Sequence, residues 1–410
     1  MKFEKQLREY ARLTALVGAN VQKDQYVTIN APVYAAEFAR MVEEECFRAG
    51  AKDVLLHFSD QKSSKLRFTY ATAETLSDIP DWLKEQRTFY ARKGGAYINI
   101  GGGDPEGLKG VDGGKLLAFS RAMNKASEEF YELMDKQIVP WCIVAYPSVE
   151  WARKVFPGVS DAKAVDMLMN AILKSVRIGR GDAAKKWRSH DRILKRRAKI
   201  LNSYNFKELH FKNSLGTDLR VGLVKDHIWQ GGSDKTNKKI KFMPNMPTEE
   251  IFTMPDMNRV DGTVYASMPL SYMGELVENF SFTFKDGEVV DFSAEKGREA
   301  IARLLETDEG SKRLGEVALI PYDSPISNMK ILFYNTLFDE NASCHLALGS
   351  SYNNTIKGGE KMSKEELKAR GSNDSGEHVD FMFGTADMSV TGVTYDGGEI
   401  TVFKDGNFVF

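Results

Sequence analysis

Of the six histidines in the chain, at positions 57, 190, 210, 227, 345 and 378, only the last two lie among other side chains that bind metals. His378-Val379-Asp380 opens the run HVDFMF, which has the character of a strand. Residues two apart on a strand project from one face, so an imidazole and a carboxylate there can converge on one cation while Val379 points away. Further back, His345 lies between Glu340 and Tyr352 in LFDENASCHLALGSSY. Read singly, His345 also fits a hydrogen-bonded structural histidine, and His378 with Asp380 an ordinary ion pair on a strand.

Two acidic segments carry more information. Glu316 interrupts the otherwise apolar run from Leu314 to Ile320, and burying an unpaired carboxylate costs several kcal/mol, so such a residue needs a cation or a proton. The pair Glu249-Glu250 stands in a strand-like apolar frame. Alternation turns one of the two inward without saying which.

The segments NMPTEEIFTMPD, GEVALIPYDSPIS, LFDENASCHLALGSSY and HVDFMFG, in this order and spacing, resemble the thermophilic metalloaminopeptidase family, the aminopeptidase T and aminopeptidase S type. The resemblance runs nearly the whole length, including the opening ARL segment, but its specific motifs all follow residue 245. It implies metal ligands at Glu250, Glu316, His345, Tyr352, His378 and Asp380, with Glu249 the alternate to Glu250. It further implies two divalent ions, zinc, cobalt or manganese, a homodimer of two-domain chains, and hydrolysis of the N-terminal peptide bond of peptides with a free N-terminus.

The chemistry of these residue types agrees. Carboxylates, imidazoles and a phenol form an oxygen and nitrogen set suited to divalent ions, and a thiolate site is excluded. Two ions roughly 3.5–4 Å apart hold a bridging water, lower its pKa and polarise the scissile carbonyl. Glu316 is the expected bridging carboxylate, and Glu340 the carboxylate that moves a proton to the leaving amine. A deacylase or phosphoesterase using two metals is the competing enzyme class. A non-catalytic, metal-stabilised binding protein is the other alternative, and Tyr352 with the carboxylates argues against it, because purely structural zinc sites close their shell with cysteine and histidine.

The elements that must position these residues fall into two textures. Leu7, Tyr10, Ala11, Thr14 and Val17 recur at helical spacing and stop at Gly18, read as a C-cap. Strand signals over Tyr26–Ile29, Asp53–Phe58, Ala96–Ile100 and Val139–Tyr146 then alternate with helical ones over Ala35–Arg48, Ala73–Gln86 and Lys115–Lys136. Such alternation implies a parallel sheet. A helical stretch from Asp161 through Ile200 closes this half.

After Glu208 the pattern changes to short alternating runs, Leu209–Phe211, Asp218–Val224, Phe280–Phe284 and Ile400–Phe403, with turn pairs at Asp286-Gly287 and Asp396-Gly397. A helix over Ala294–Leu305 interrupts them, and the charged stretch Lys357–Arg370 reads as a surface helix between strands. The expected architecture is an α/β N-terminal domain over residues 1–200 with a mainly parallel sheet. A β-rich α+β catalytic domain over residues 201–410 carries the metal site.

Composition narrows the function class. Among 410 residues, 56 basic and 57 acidic side chains leave a net charge of −1, so no field favours nucleic acid or an anionic membrane. The basic cluster Lys185–Lys199 alternates with Ile193 and Leu194 and reads as a solvated helix face. Gly101-Gly102-Gly103-Asp104-Pro105-Glu106-Gly107 lacks dinucleotide spacing and is expected to be a flexible loop bordering the active-site cleft. Three scattered cysteines and a charged N-terminal segment without an apolar signal core point to a cytoplasmic chain. No run reaches the 18 or so apolar residues of a membrane helix.

Overall fold

The computed structural model describes residues 3–410. The chain divides into two compact units, the first formed by residues up to Asp191 together with Ser233–Thr248, the second by Arg192–Gly232 and Glu249–Phe410.

The first unit is built on a parallel sheet of four strands, β1 (Tyr26–Pro32), β2 (Asp53–Ser59), β3 (Ala96–Gly101) and β4 (Trp141–Ala145), in the order β2-β1-β3-β4. Helices link the strands, as parallel pairing requires. Their boundaries differ from the sequence reading in instructive ways. The helix expected over 73–86 is two, Ala73–Ser77 and Asp81–Ala91, because Pro80 cannot continue the first. An unforeseen helix, Gln61–Tyr70, precedes them, with Asp60 accepting a hydrogen bond from the Lys62 amide as its cap. The helix expected over 115–136 breaks at Ser127 into Gly113–Ala126 and Glu128–Asp135.

Two glycine assignments also change. The opening helix, Glu4–Leu13, widens into a π turn over Thr14–Gly18. Gly18 does not take a left-handed conformation there, and a Cβ on it would lie 2.6 Å from Cys142 Sγ. Close approach rather than capping is what requires glycine. The Gly-rich loop after β3 is pinned rather than free: the Gln61 amide donates to the Asp104 carbonyl and accepts from the Asp104 amide, both at 2.9 Å. A Cβ at Gly103 or Gly107 would collide with Gln61, at 2.8 and 2.3 Å.

The second unit contains a nine-stranded sheet. Its neighbours are antiparallel throughout, from Leu270–Tyr272 through Glu275–Lys285, Pro255–Tyr265, Asp218–Leu223, Glu208–Lys212, Ser389–Val393 and Glu399–Lys404 to Asn407–Phe408, with Glu288–Lys296 paired to Glu275–Lys285. The turn Asp286-Gly287 has positive φ at both residues, the twist that suits a two-residue hairpin. The helix expected from Ala294 starts only at Arg298, since Ala294 still belongs to a strand. Lys364–Ala369 is the helix foreseen in the charged stretch, and Ser363 and Glu366 form a capping box at its start.

A second antiparallel sheet of four strands, β5 (Ile251–Thr253), β6 (Leu314–Leu319), β7 (His345–Gly349) and β8 (His378–Met382), runs in the order β8-β7-β6-β5. Val317, Leu319, Leu346, Leu348 and Phe381 from one face of it join an apolar core with Phe206, Leu209, Phe280 and Val390. That core is tight: a Cβ on Gly392 would lie 2.3 Å from the fully buried Phe206 ring. Gly392→Ala is therefore expected to lower unfolding stability by about 1–3 kcal/mol, the usual cost of overpacking. A lowered urea midpoint with unchanged slope is the expected readout, and an unaltered midpoint would contradict this packing.

Candidate metal centre

The register of the four-stranded sheet explains how scattered acidic and histidine residues meet. Asp380 and Glu316 both lie opposite Ala347, one on each neighbouring strand, while His378 lies opposite Gly349 and His345 opposite Ala318. Directly paired and alternate residues share a face, so Glu316, His345, His378 and Asp380 emerge together above a floor of alanine and glycine. Val379 turns the other way and packs on the apolar core. The small residues leave room for the functional ones.

Two groups of side chains form there. Glu250, Glu316 and His345 present ligand atoms within 4.8 Å of one another, and so do Glu316, His378 and Asp380. Glu316 belongs to both: its Oε1 lies 3.5 Å from His345 Nε2 and its Oε2 lies 3.3 Å from His378 Nε2. Glu250 Oε2 is 3.4 Å from His345 Nε2, and Asp380 Oδ1 is 3.5 Å from His378 Nε2.

Each imidazole is oriented from behind by a backbone carbonyl. His345 Nδ1 lies 3.0 Å from the Glu340 carbonyl and His378 Nδ1 lies 2.8 Å from the Ser350 carbonyl. A carbonyl only accepts, so both rings carry hydrogen on Nδ1 and turn Nε2 toward the carboxylates.

The remaining expected residues sit around this cluster in different ways. Tyr352 is half-exposed, its ring tilted against that of His378 at 4.7 Å and in edge contact with Phe252 at 5.9 Å. Glu340 begins a short 3-10 turn, and its Oε1 accepts from Asn341 Nδ2 at 3.3 Å. Both members of the glutamate pair are buried, in contrast to the alternation expected from sequence, because they precede β5 and lie outside its pleat. Glu250 joins His345, whereas Glu249 donates its amide hydrogen to Asn341 Oδ1 at 2.7 Å and places its charge near Arg197. Arg197 is partly buried, whereas Arg192, Arg196 and Lys199 of the same basic cluster are exposed.

Burial and mutual charge shift the protonation equilibria of these side chains strongly. Burial, then the neighbouring Glu316 charge, pushes the Glu250 carboxyl up to about 8. Burial also raises Glu340 well above the usual carboxylate range, with Asp380 and Glu250 adding to it. Burial would lower His345, but Glu316, Asp380 and Glu250 outweigh it and raise the ring to about 10. Glu316 and Asp380 are held low against burial by the two imidazoles. Carboxylates and neutral imidazoles at this density fit divalent cations, which would displace those protons.

Sequence reasoning did not single out the two buried asparagines that frame the cluster, Asn341 and Asn373, exposed by 0% and 4%. Asn341 was visible in the DENAS segment, but nothing in its spacing distinguished it from a loop residue. Phe252, opposite Ala318 across β5 and β6, is likewise on the functional face without having drawn attention.

Residues 3–408 match the family described as thermophilic metalloprotease (M29). The chain is 43% identical to aminopeptidase AmpS of Bacillus subtilis, with 100% of this chain and 99% of that protein covered. It is 39% identical to aminopeptidase T of Thermus thermophilus, with 99% of each covered. The solved structure of wild-type AmpT from Thermus thermophilus superposes with a TM-score of 0.92 at 39% identity, each chain covered completely.

Proposed function

The chain belongs to the thermophilic metalloprotease family (M29), and from that premise we propose that it removes single residues from the free N-termini of peptides at the cluster on the four-stranded sheet. The observation that carries this reading is the placement of Glu316, one carboxylate oxygen toward each imidazole, between Glu250 and His345 on one side and His378 and Asp380 on the other. We assign Glu250, Glu316, His345, Tyr352, His378 and Asp380 as the residues that hold two divalent ions, zinc, cobalt or manganese. Bound there, the pair of ions would polarise the scissile carbonyl and lower the pKa of a water lying between them.

The residues of the chain supply the rest. Glu316 fixes the separation of the two halves, and the carbonyls of Glu340 and Ser350 keep both Nε2 atoms facing inward. Burial with the Asp380 and Glu250 charges raises the Glu340 carboxyl; with cations offsetting those charges its carboxylate would accept a proton from the attacking water and return it to the leaving amine. Tyr352 and Phe252 form an aromatic wall beside His378 against which the N-terminal side chain packs. Glu340→Gln is expected to lower kcat about 10²–10⁴-fold, the worth of a positioned proton carrier, with metal content unchanged. Loss of metal in that variant would instead make Glu340 a ligand.

A homodimer and a cytoplasmic location belong to the same proposal. The family resemblance supports the dimer, and three free, buried cysteines, Cys46, Cys142 and Cys344, support the location. Sedimentation at micromolar concentration tests the dimer. Among the described residues no helix is long and apolar enough to cross a membrane.

The test of the activity is hydrolysis of leucine p-nitroanilide, its N-acetylated form and p-nitrophenyl phosphate by chelator-stripped protein, with and without zinc, cobalt or manganese. Metal-restored cleavage of the free-amine substrate alone is expected. Cleavage of the blocked amide or of the phosphate ester would move the protein to the deacylases or phosphoesterases, and inactivity with every metal to a binding role.

A further inference from the structure

We propose that Asn373 is a positioning residue for one half of the metal centre, setting the Glu316–His378–Asp380 group through the Ser350 carbonyl while leaving the Glu250–Glu316–His345 group to other supports. The inference rests on the two-ion reading above and concerns a residue that lies outside both groups.

The connections are specific. The Asn373 side-chain amide donates to three backbone carbonyls, Gly310 at 2.8 Å, Gly349 at 2.7 Å and Arg313 at 3.2 Å. Its two hydrogens must be shared among three acceptors, so the amide gathers the approach to β6 and the end of β7 around one point. Its backbone clasps the next residues of the same segment: the Ser351 amide donates to the Asn373 carbonyl at 2.9 Å, and the Asn373 amide donates to Ser351 Oγ at 3.1 Å.

Ser350 is thus held between two residues that Asn373 fixes, Gly349 and Ser351, and its own amide donates to the Glu377 carbonyl at 2.7 Å. Its carbonyl accepts from His378 Nδ1 at 2.8 Å. There is little slack. Gly349 has φ +111°, and a Cβ on it would lie 2.1 Å from the Glu377 carbonyl oxygen, while a Cβ on Gly315 would lie 2.3 Å from the Ser350 carbonyl oxygen. Without the Asn373 side-chain amide the Gly349 carbonyl loses the donor that ties the 349–351 segment to the approach to β6, which loosens the orientation of the His378 ring. The adjoining Tyr352 follows the same segment.

The other half is held differently. His345 takes its orientation from the Glu340 carbonyl, and the segment of Glu249 and Glu250 from Asn341. These supports are independent of Asn373, so its loss is expected to weaken one ion position and spare the other. Outer partners of metal ligands characteristically change metal affinity by about 10–100-fold.

The full-length wild type, Asn373→Ala and Ser351→Ala are compared after stripping and titration with cobalt(II) alone. Bound cobalt is counted by mass spectrometry of dialysed protein, and the cobalt(II) absorption spectrum is recorded beside kcat and KM. For Asn373→Ala the expected result is one tightly held ion per chain instead of two, an altered spectrum, and a kcat lowered at least tenfold. Its metal-free melting temperature is expected to fall, since three backbone carbonyls lose their donor, so the decisive readout is the selective loss of one ion. Two ions with the wild-type spectrum would overturn the inference, and so would equal loss of both ions.

If Asn373→Ala does not fold, Ser351→Ala decides by the same readouts, with the second ion bound about tenfold more weakly as the supporting result. An unchanged second ion in that variant overturns the inference. A wild-type count below two ions would sink the two-ion reading itself, which separates that failure from a failure of the role given to Asn373.

Discussion

Glu316→Gln is expected to lower kcat/KM for leucine p-nitroanilide by about 10³-fold or more, equivalent to roughly 4 kcal/mol of transition-state stabilisation, and to release ions from both positions rather than one. The reason is geometric. Glu316 is shared by both ligand groups, one oxygen toward His345 Nε2 at 3.5 Å and the other toward His378 Nε2 at 3.3 Å. Glutamine preserves the volume but replaces one acceptor oxygen by an NH₂ group that cannot bind a cation. Its placement on β6, opposite Ala347, is backbone-determined and should survive the change. Single substitutions of Glu250 or Asp380, each in one group only, should cost one ion. Wild-type metal content and activity in Glu316→Gln would refute the shared role.

Removing the ions is the second large effect, and it should appear in stability as well as activity. Ions present at about 1,000 times their Kd stabilise the folded state by about 4 kcal/mol, so stripping should lower the melting temperature by roughly 10 °C. The loss should depend on pH with a definite sign. In the metal-free protein the Glu250 carboxyl titrates near 8 instead of 4.5, raised by burial and by Glu316. His345 titrates near 10 instead of 6.5, where Glu316, Asp380 and Glu250 prevail over burial.

Both folded values lie above the unfolded ones. Each group therefore contributes stability that is full below its unfolded pKa and is lost as pH rises through its folded pKa. The loaded site needs both groups deprotonated, so ion binding releases protons and tightens over the same range. The difference in melting temperature between loaded and stripped protein should widen from pH 6 to pH 9. Calorimetry of the two forms checks it, and a constant or narrowing gap would mean that the cluster carries no such protons.

The proposed ion-binding chemistry rests on residues spread from Glu250 to Asp380, and the sequence disclosed these unevenly. His378 and Asp380 were legible because a strand period of two is a local property. Glu316 was legible because a carboxylate within an apolar strand demands compensation. The change from alternating strands and helices to short antiparallel runs also follows from local periodicity and turn residues, and it foretold a parallel sheet followed by antiparallel ones.

What local pattern could not supply was register and irregular backbone. That Asp380 and Glu316 flank the same Ala347 is settled by strand pairing between segments far apart in the chain. The burial of both Glu249 and Glu250 arises because they precede β5, where alternation no longer governs which side faces inward. The break at Pro80 is a local property that the proline itself carries, whereas the Gln61 clamp on the Gly-rich loop and the close approach at Gly18 depend on tertiary partners. Asn341 and Asn373 were silent in the sequence for the same reason. An asparagine's role is fixed by which distant carbonyls and amides come within reach of its amide, and only folding brings Gly310, Gly349 and Arg313 to one side chain.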